Sequence, residues 1–288
     1  MNNSYKNFFL DKFGVMQGRL VNQERNKIQS FPWKNWKKEF KILKENKFNL
    51  LEWTVDSEKF TSNPINTKKG RKKINELKKK FKVKINSLTA DFFMEKPFFK
   101  EKNIKNVDKC IKKLETILIN SNKIKVKLII VPLVDNASLK KHKINFFVQK
   151  ISELKNILKK NKQMILFESD FKPKKLLKFI KRFDNKFFGI NYDTGNSASL
   201  GFKFKNEITY FKFVRNIHLK DRSYKGQTER LGRGDFNFNE FISLIYKIKY
   251  KGNFIFQTAR SKSNKHLEEI LINKNFMAKI INNKLGFN

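Results

Sequence analysis

At 288 residues the chain is long enough to bury a sizeable core unaided, and its single cysteine excludes an intramolecular disulfide framework and any multi-cysteine metal cluster. No run approaches the ~20 apolar residues of a bilayer span, and the start MNNSYKNFFLDKF lacks a secretory leader's apolar core and cleavage site, so a soluble cytoplasmic protein is expected. The formal charge of +39 is spread as lysine through almost every predicted helix, beside Asn, Ile and Phe whose codons share the same A/T bias. A nucleic-acid surface would instead concentrate arginines and aromatics in a stripe, so no specific nucleic-acid or membrane partner is expected.

Taken in chain order, short apolar runs alternate with helical stretches. FGVM at 13–16 reads as a strand, followed by WKNWKKEFKILKENK, where Trp33, Trp36, Phe40, Leu43 and Lys44 follow helical steps with lysines on the other face. FNLLEW near 48–53 precedes a lysine-rich helix at about 67–80 with Ile74, Leu77 and Phe81 as its apolar positions. VKINSL at 83–88 is the third strand, and the helix around 104–120 sets Val107, Ile111, Leu114 and Leu118 on one side, with Cys110 expected as a buried structural thiol. VKLIIVPL at 126–133 is an uninterrupted apolar run, the pattern of a parallel strand covered on both faces, and a helix of roughly 143–160 follows.

The second half repeats the arrangement. MILFES at 164–169 leads to a helix starting near Pro173, a residue suited to a first helical turn. FFGINYD at 187–193, VRNIHL at 214–219 and NFIFQT at 253–258 complete eight strands, with helices FNEFISLIYKIK and about 265–283 after the last two. No linker or low-complexity tract divides the chain, so the expectation is a single α/β domain over 1–288. It is a closed (β/α)₈ TIM barrel with a short N-terminal extension and a C-terminal helix. Gly14 and Gly18 do not form a dinucleotide-binding GxGxxG turn.

In such a barrel the reaction face lies at the C-terminal strand ends. Glu52, Glu168, Asp193, His218 and Gln257 fall at the ends of strands two, five, six, seven and eight. Glu168, Asp193 and His218 offer two carboxylates and an imidazole, a donor set for Mn²⁺ first, with Zn²⁺, Co²⁺ or Mg²⁺ as alternatives. Without a metal the three would form a buried hydrogen-bond network. Lys220 and Asp221 are candidates for catalysis, by proton relay or by binding substrate oxygens. Arg19, Arg222, Arg233 and Arg260, with the planar donor fork that suits phosphate or carboxylate, are substrate-binding candidates beside Glu52. Trp53 and Phe92 could line a sugar face, and residues 21–32 and 223–236 are long enough to cover the reaction pole.

The ordered motifs GVMQGRL, LLEW, VKINSLTADFF, VPL, ILFES, NYDTGN, IHLKDR, LGRGDFNF and FIFQTAR resemble the sugar isomerase/epimerase family with a xylose-isomerase-like barrel, over nearly the whole chain. The resemblance implies one divalent ion held by Glu168, Asp193, His218 and the strand-eight position. Here that position is Gln257, a neutral amide where the family usually has glutamate. Many ketose epimerases use two glutamates, one removing a proton beside a carbonyl and one returning it, so Glu168 matches the first role and Gln257 cannot fill the second. The family's histidine three residues after the strand-six aspartate is Asn196 here, carried as a substrate-binding position. Endonuclease IV shares the barrel, but its resemblance implies a histidine-rich multinuclear zinc site, and this chain has only His142, His218 and His266.

The expected function is therefore a metal-dependent isomerase or epimerase of a sugar, sugar phosphate or related polyhydroxy carbonyl compound, acting through an enediolate. The alternatives are a dehydratase or lyase using the same chemistry, and a non-catalytic sugar-binding protein on a degenerate scaffold. A homo-oligomer is compatible with this reading.

Overall fold

The structure is a computed structural model and describes residues 9–24 and 29–285; residues 25–28 of the expected covering loop and the start of the N-terminal extension lie outside the described residues. The strands are β1 (Phe13–Met16), β2 (Leu50–Thr54), β3 (Ser87–Thr89), β4 (Leu128–Leu133), β5 (Met164–Ser169), β6 (Phe188–Asp193), β7 (Val214–Leu219), the short β8 (Asp221–Arg222) and β9 (Thr228–Glu229), and β10 (Asn253–Phe256). Eight of them close a parallel barrel in the order β1-β10-β7-β6-β5-β4-β3-β2, while β8 and β9 form a separate antiparallel ribbon that the sequence pattern did not reveal. The helices are α1 (Trp36–Glu45), α2 (Lys68–Phe81), α3 (Asp91–Glu95), α4 (Ile104–Asn122), α5 (Ile144–Ser152), α6 (Lys155–Asn161), α7 (Pro173–Ile180), α8 (Thr194–Ser199), α9 (Phe204–Glu207), α10 (Phe238–Lys247) and α11 (His266–Leu285).

Strand ends differ from expectation where a partner is missing. The third strand begins at Ser87 rather than residue 83, because β4 starts at Leu128 and pairs Ser87 with it, which leaves Val83 and Ile85 buried but outside the ladder. Strand eight stops at Phe256, yet the Gln257 amide still donates to the Leu219 carbonyl at 3.1 Å and keeps that residue aligned with β7. The expected helix 143–160 is two helices. A tightened turn, Leu154 N–H to Ile151 carbonyl, resets the phase so that Leu154 and Leu158 are both buried. Helix α1 starts at Trp36, with Trp33 before it, half-buried against Phe31. Cys110 on α4 is half-buried rather than buried, and that partial burial pushes its thiol up.

Two compact units emerge, residues 52–191 and, for the described part, 1–51 with 192–288. Within the first, Phe93, Phe98, Phe99 and Phe147 form an aromatic cluster, and Phe167, Phe179, Phe183 and Phe188 another. Its α2 is capped by Thr67, whose Oγ1 accepts the Gly70 N–H at 3.0 Å; Ile74 and Leu77 are its buried residues, and most of its lysines face solvent, whereas Lys78 is half-buried and donates to the Ile124 carbonyl. Within the second unit, Tyr192, Phe204, Phe211 and Phe241 pack together. Beneath that cluster Glu207 is buried and receives hydroxyls from Tyr192, Ser197 and Tyr210 at 2.8, 2.6 and 2.9 Å, so this carboxyl is consumed structurally. Among the described residues no helix is long and apolar enough to cross a membrane.

Candidate metal centre

Side chains two apart on a strand share a face, which stacks the polar Asn191 below Asp193 on β6 and Asn216 below His218 on β7, with the apolar Leu166 below Glu168 on β5. Glu168, Asp193 and His218 are 7, 4 and 0 % exposed, and one ligand atom of each lies within 4.8 Å of the others. Metal–ligand bonds of about 2.0–2.2 Å put donor atoms no more than about 4.4 Å apart, so three donors within 4.8 Å of one another could hold a single divalent ion with at most a small closure.

Each ligand is held from behind. Asn191 Nδ2 donates to Glu168 Oε2 at 2.8 Å. Asp193 caps α8, its Oδ1 accepting the Asn196 N–H at 2.8 Å, while its Oδ2 lies 3.8 Å from Lys220 Nζ. Thr194 accepts the Lys220 N–H at 2.9 Å and donates to the Lys220 carbonyl, stitching the end of β6 to the end of β7. Gly195 lies so close to Lys220 that a Cβ would meet its Cγ at 2.6 Å, which fixes the lysine stem beside the carboxylate. Gln257 Oε1 is buried and has no hydrogen-bond partner among the described residues, as expected of an acceptor waiting for a cation or a donor.

Other sequence candidates have different tasks. Asp221 is wholly buried, and its two oxygens accept the N–H groups of Arg222, Phe236, Gly232 and Gly234 at 2.8–3.1 Å; it organises the 222–236 loop rather than relaying protons, and burial raises its carboxyl. That loop is further pinned by Leu231 N–H to Asn273 and by the paired Arg230–Glu269 contact, so it is anchored rather than a free lid. Arg222 closes the ribbon turn through the Gly226 carbonyl, and Arg233 is exposed on a shallow cleft. Arg19 donates to the Thr258 carbonyl at 3.2 Å and Gln29 Oε1 at 2.9 Å, and Arg260 donates to the Val21 and Gly18 carbonyls, so both tie the loop after β1 to the segment after β10 instead of presenting open forks.

Glu52 accepts the Ser87 and Thr89 hydroxyls at 2.7 and 2.8 Å. Trp53 is a core residue donating to Asn63, and Phe92 packs on Phe60; neither is an open sugar platform.

Glu39 and Asp91 are among the buried acids that escaped the sequence reading. Glu39 on α1 accepts the Gly18 N–H at 2.7 Å, a contact that needs Gly18 at φ +86, and burial pushes its carboxyl up to about 8. Its signal was the spacing from Trp36 to Leu43, which places it on the apolar face. Asp91 follows β3 in TADFF and is 7 % exposed; burial first, then the carboxyls of Asp56, Glu168, Glu95 and Glu52, hold it well above the usual carboxylate range. Its signal was an acid just past a barrel strand end.

A parallel eight-stranded barrel with two carboxylates and a histidine converging at its strand ends defines a (β/α)₈ protein equipped to hold a metal. The sequence profile of the xylose isomerase-like TIM barrel matches residues 40–278, and the chain belongs to that family. Its structure is similar to a xylose isomerase domain protein from Planctomyces limnophilus (TM-score 0.72, 15 % identity, 94 % of this chain and 98 % of that one). It is also similar to the IolI protein with a binding zinc atom (0.72, 13 %, 95 % and 99 %). A third is D-psicose 3-epimerase with D-tagatose from Clostridium cellulolyticum H10 (0.72, 14 %, 94 % and 99 %). No curated protein sequence matches the chain significantly.

Proposed function

We propose that the protein is a divalent-metal-dependent isomerase or epimerase of a sugar or related polyhydroxy carbonyl compound. The observation that carries this reading is the convergence of Glu168, Asp193 and His218 to within 4.8 Å, buried at the strand ends. The similarity to an epimerase bound to a ketose and to a zinc-bound barrel supports it.

Glu168, Asp193 and His218 would hold the ion, with the Gln257 amide oxygen as a neutral fourth donor. The ion supplies Lewis acidity, stabilising negative charge on adjacent substrate oxygens. Glu168, its Oε2 oriented by Asn191, takes the proton from the carbon beside the carbonyl, which leaves an enediolate. Lys220, pinned over Gly195, orients a substrate oxygen with its ammonium. Mn²⁺ is the first ion to try, with Zn²⁺, Mg²⁺ and Co²⁺ beside it.

The test is solvent exchange. Metal-quantified protein in D₂O with free ketoses and their phosphates should place deuterium on the carbon next to the carbonyl, and His218→Ala should lose both bound metal and exchange. Sugar binding without exchange would point instead to a non-catalytic binding protein.

A further inference from the structure

Gln257 leaves the chain one proton-transfer group short. An amide neither takes nor gives a proton at neutral pH, so inversion of a stereocentre in a single pass, which needs protonation on the face opposite the base, calls for a second acid elsewhere at the pole. The end of β3 supplies a candidate. Asp91 sits two residues beyond Thr89, the last residue of β3, at the same C-terminal pole as Glu52 on β2 and Glu168 on β5. Its backbone is pinned on both sides: the Ala90 N–H donates to the Ile130 carbonyl and the Phe92 N–H to the Val55 carbonyl, each at 2.9 Å. Phe92 and Phe93 are buried, so the carboxyl is on a rigid support.

The remaining acids of this cluster have defined partners. Glu52 is satisfied by two hydroxyls, and Glu168 accepts from Asn191. Asp91 differs: it is more than nine-tenths buried, and its Oδ2 has no hydrogen-bond partner among the described residues. The charges that bear on it, from Asp56, Glu168, Glu95 and Glu52, are all negative. Burial without a partner on Oδ2 favours the neutral form of this carboxyl, and a neutral carboxylic acid at a reaction pole is a proton donor.

We propose that Asp91 is the second proton-transfer group of the site, donating its proton to the enediolate that Glu168 generates. This rests on the isomerase or epimerase reading above. The step balances without a co-reactant. Glu168 gains the proton of the substrate C–H while that electron pair enters the enediolate. The enediolate then takes the Asp91 proton onto carbon, the carbonyl re-forms, and Asp91 is left as carboxylate. One proton passing from Glu168 to Asp91 through water resets the pair. Proton return to the opposite face of the same carbon gives the epimer.

Asp91→Asn keeps size and neutrality and removes only the proton. With Mn²⁺-loaded protein and D-tagatose, D-fructose and their 6-phosphates as probes, the variant should keep its metal content and circular dichroism. Its kcat for conversion should fall about 10²- to 10⁴-fold with KM changed less than about threefold. Deuterium from D₂O should still enter recovered substrate, because Glu168 can remove and return a proton alone. Substrate-free protein offers an independent readout. A difference infrared spectrum of parent minus Asp91→Asn at pH 7 should contain a protonated carboxyl C=O stretch. A spectrum with carboxylate bands only, or an Asp91→Asn conversion rate within about threefold of the parent, overturns the assignment of Asp91 while leaving the enzyme reading intact. A metal-loaded parent that exchanges no deuterium with any probe overturns the enzyme reading, and this assignment with it.

Discussion

Glu168→Gln should change stability in opposite directions with and without metal. In the metal-free protein the Glu168 and Asp193 oxygens lie within 4.8 Å; two carboxylate charges at that distance repel by about 3.5 kcal/mol at an effective dielectric near 20. Lys220, 3.8 Å from Asp193 Oδ2, and residual hydration offset part of this, leaving on the order of 1–2 kcal/mol to be recovered when one charge is removed. Glutamine keeps an oxygen for the Asn191 donor, so that hydrogen bond is retained. With metal at about 100 times its Kd the parent gains about 2.7 kcal/mol, or roughly 5–10 °C in Tm at ~2–4 °C per kcal/mol. The variant loses a charged ligand and most of that gain. Thermal unfolding in EDTA and in excess Mn²⁺ reads both signs: the variant melts above the parent without metal and below it with metal. A variant that melts below the parent in EDTA, or shows the same metal-induced shift, would refute the argument and favour a metal-free hydrogen-bond network.

Asp221→Ala strands four backbone donors and should cost about 2–4 kcal/mol, measured by urea unfolding, while Asp221→Asn, which can still accept, costs less. Burial pushes the Glu39 carboxyl up to about 8 from an ordinary 4.5, so the folded state binds more protons than the unfolded state between those values. Its contribution to stability is fully present below about pH 4.5 and is lost as pH rises to about 8; Glu39→Gln should flatten that decline in a pH series of Tm values. Lys82 follows α2 at φ 56, where side chains are strained; Lys82→Gly should gain about 0.5–1 kcal/mol by chemical denaturation.

The legible part of the sequence was the part that depends on period and on strand-end chemistry. β5 and β7 were read to the residue, since MILFES and VRNIHL are apolar runs closed by a polar group. The convergence of Glu168, Asp193 and His218 was legible for the same reason: a barrel interior tolerates such side chains only with a partner. What could not be read was the destination of long polar side chains. Arg19, Arg260 and Asp221 look identical in sequence whether they face a substrate or a carbonyl or amide of a neighbouring loop, and that choice is made by backbone groups distant in the chain. Asp91 and Glu39 were overlooked because each sits among aromatic residues that read as core.

What separates a metal centre from a buried polar network is Gln257. In a finished network each buried acceptor has a donor, and leaving one without costs about 1–3 kcal/mol; Gln257 Oε1 has none among the described residues. A buried acceptor oxygen at the end of β10 without a donor can be completed by a cation or a substrate hydroxyl. Its neutrality has a chemical consequence. Glu168 and Asp193 contribute two negative charges, which balance a divalent ion, whereas a glutamate at 257 would overcompensate it. On the proposed reading, a neutral amide there would leave the centre more attractive to an enediolate oxyanion, at the cost of a base in that position. Tighter oxyanion stabilisation and a displaced proton donor are linked consequences of one substitution, and Gln257→Glu should reverse the first by strengthening metal binding while weakening anion inhibition.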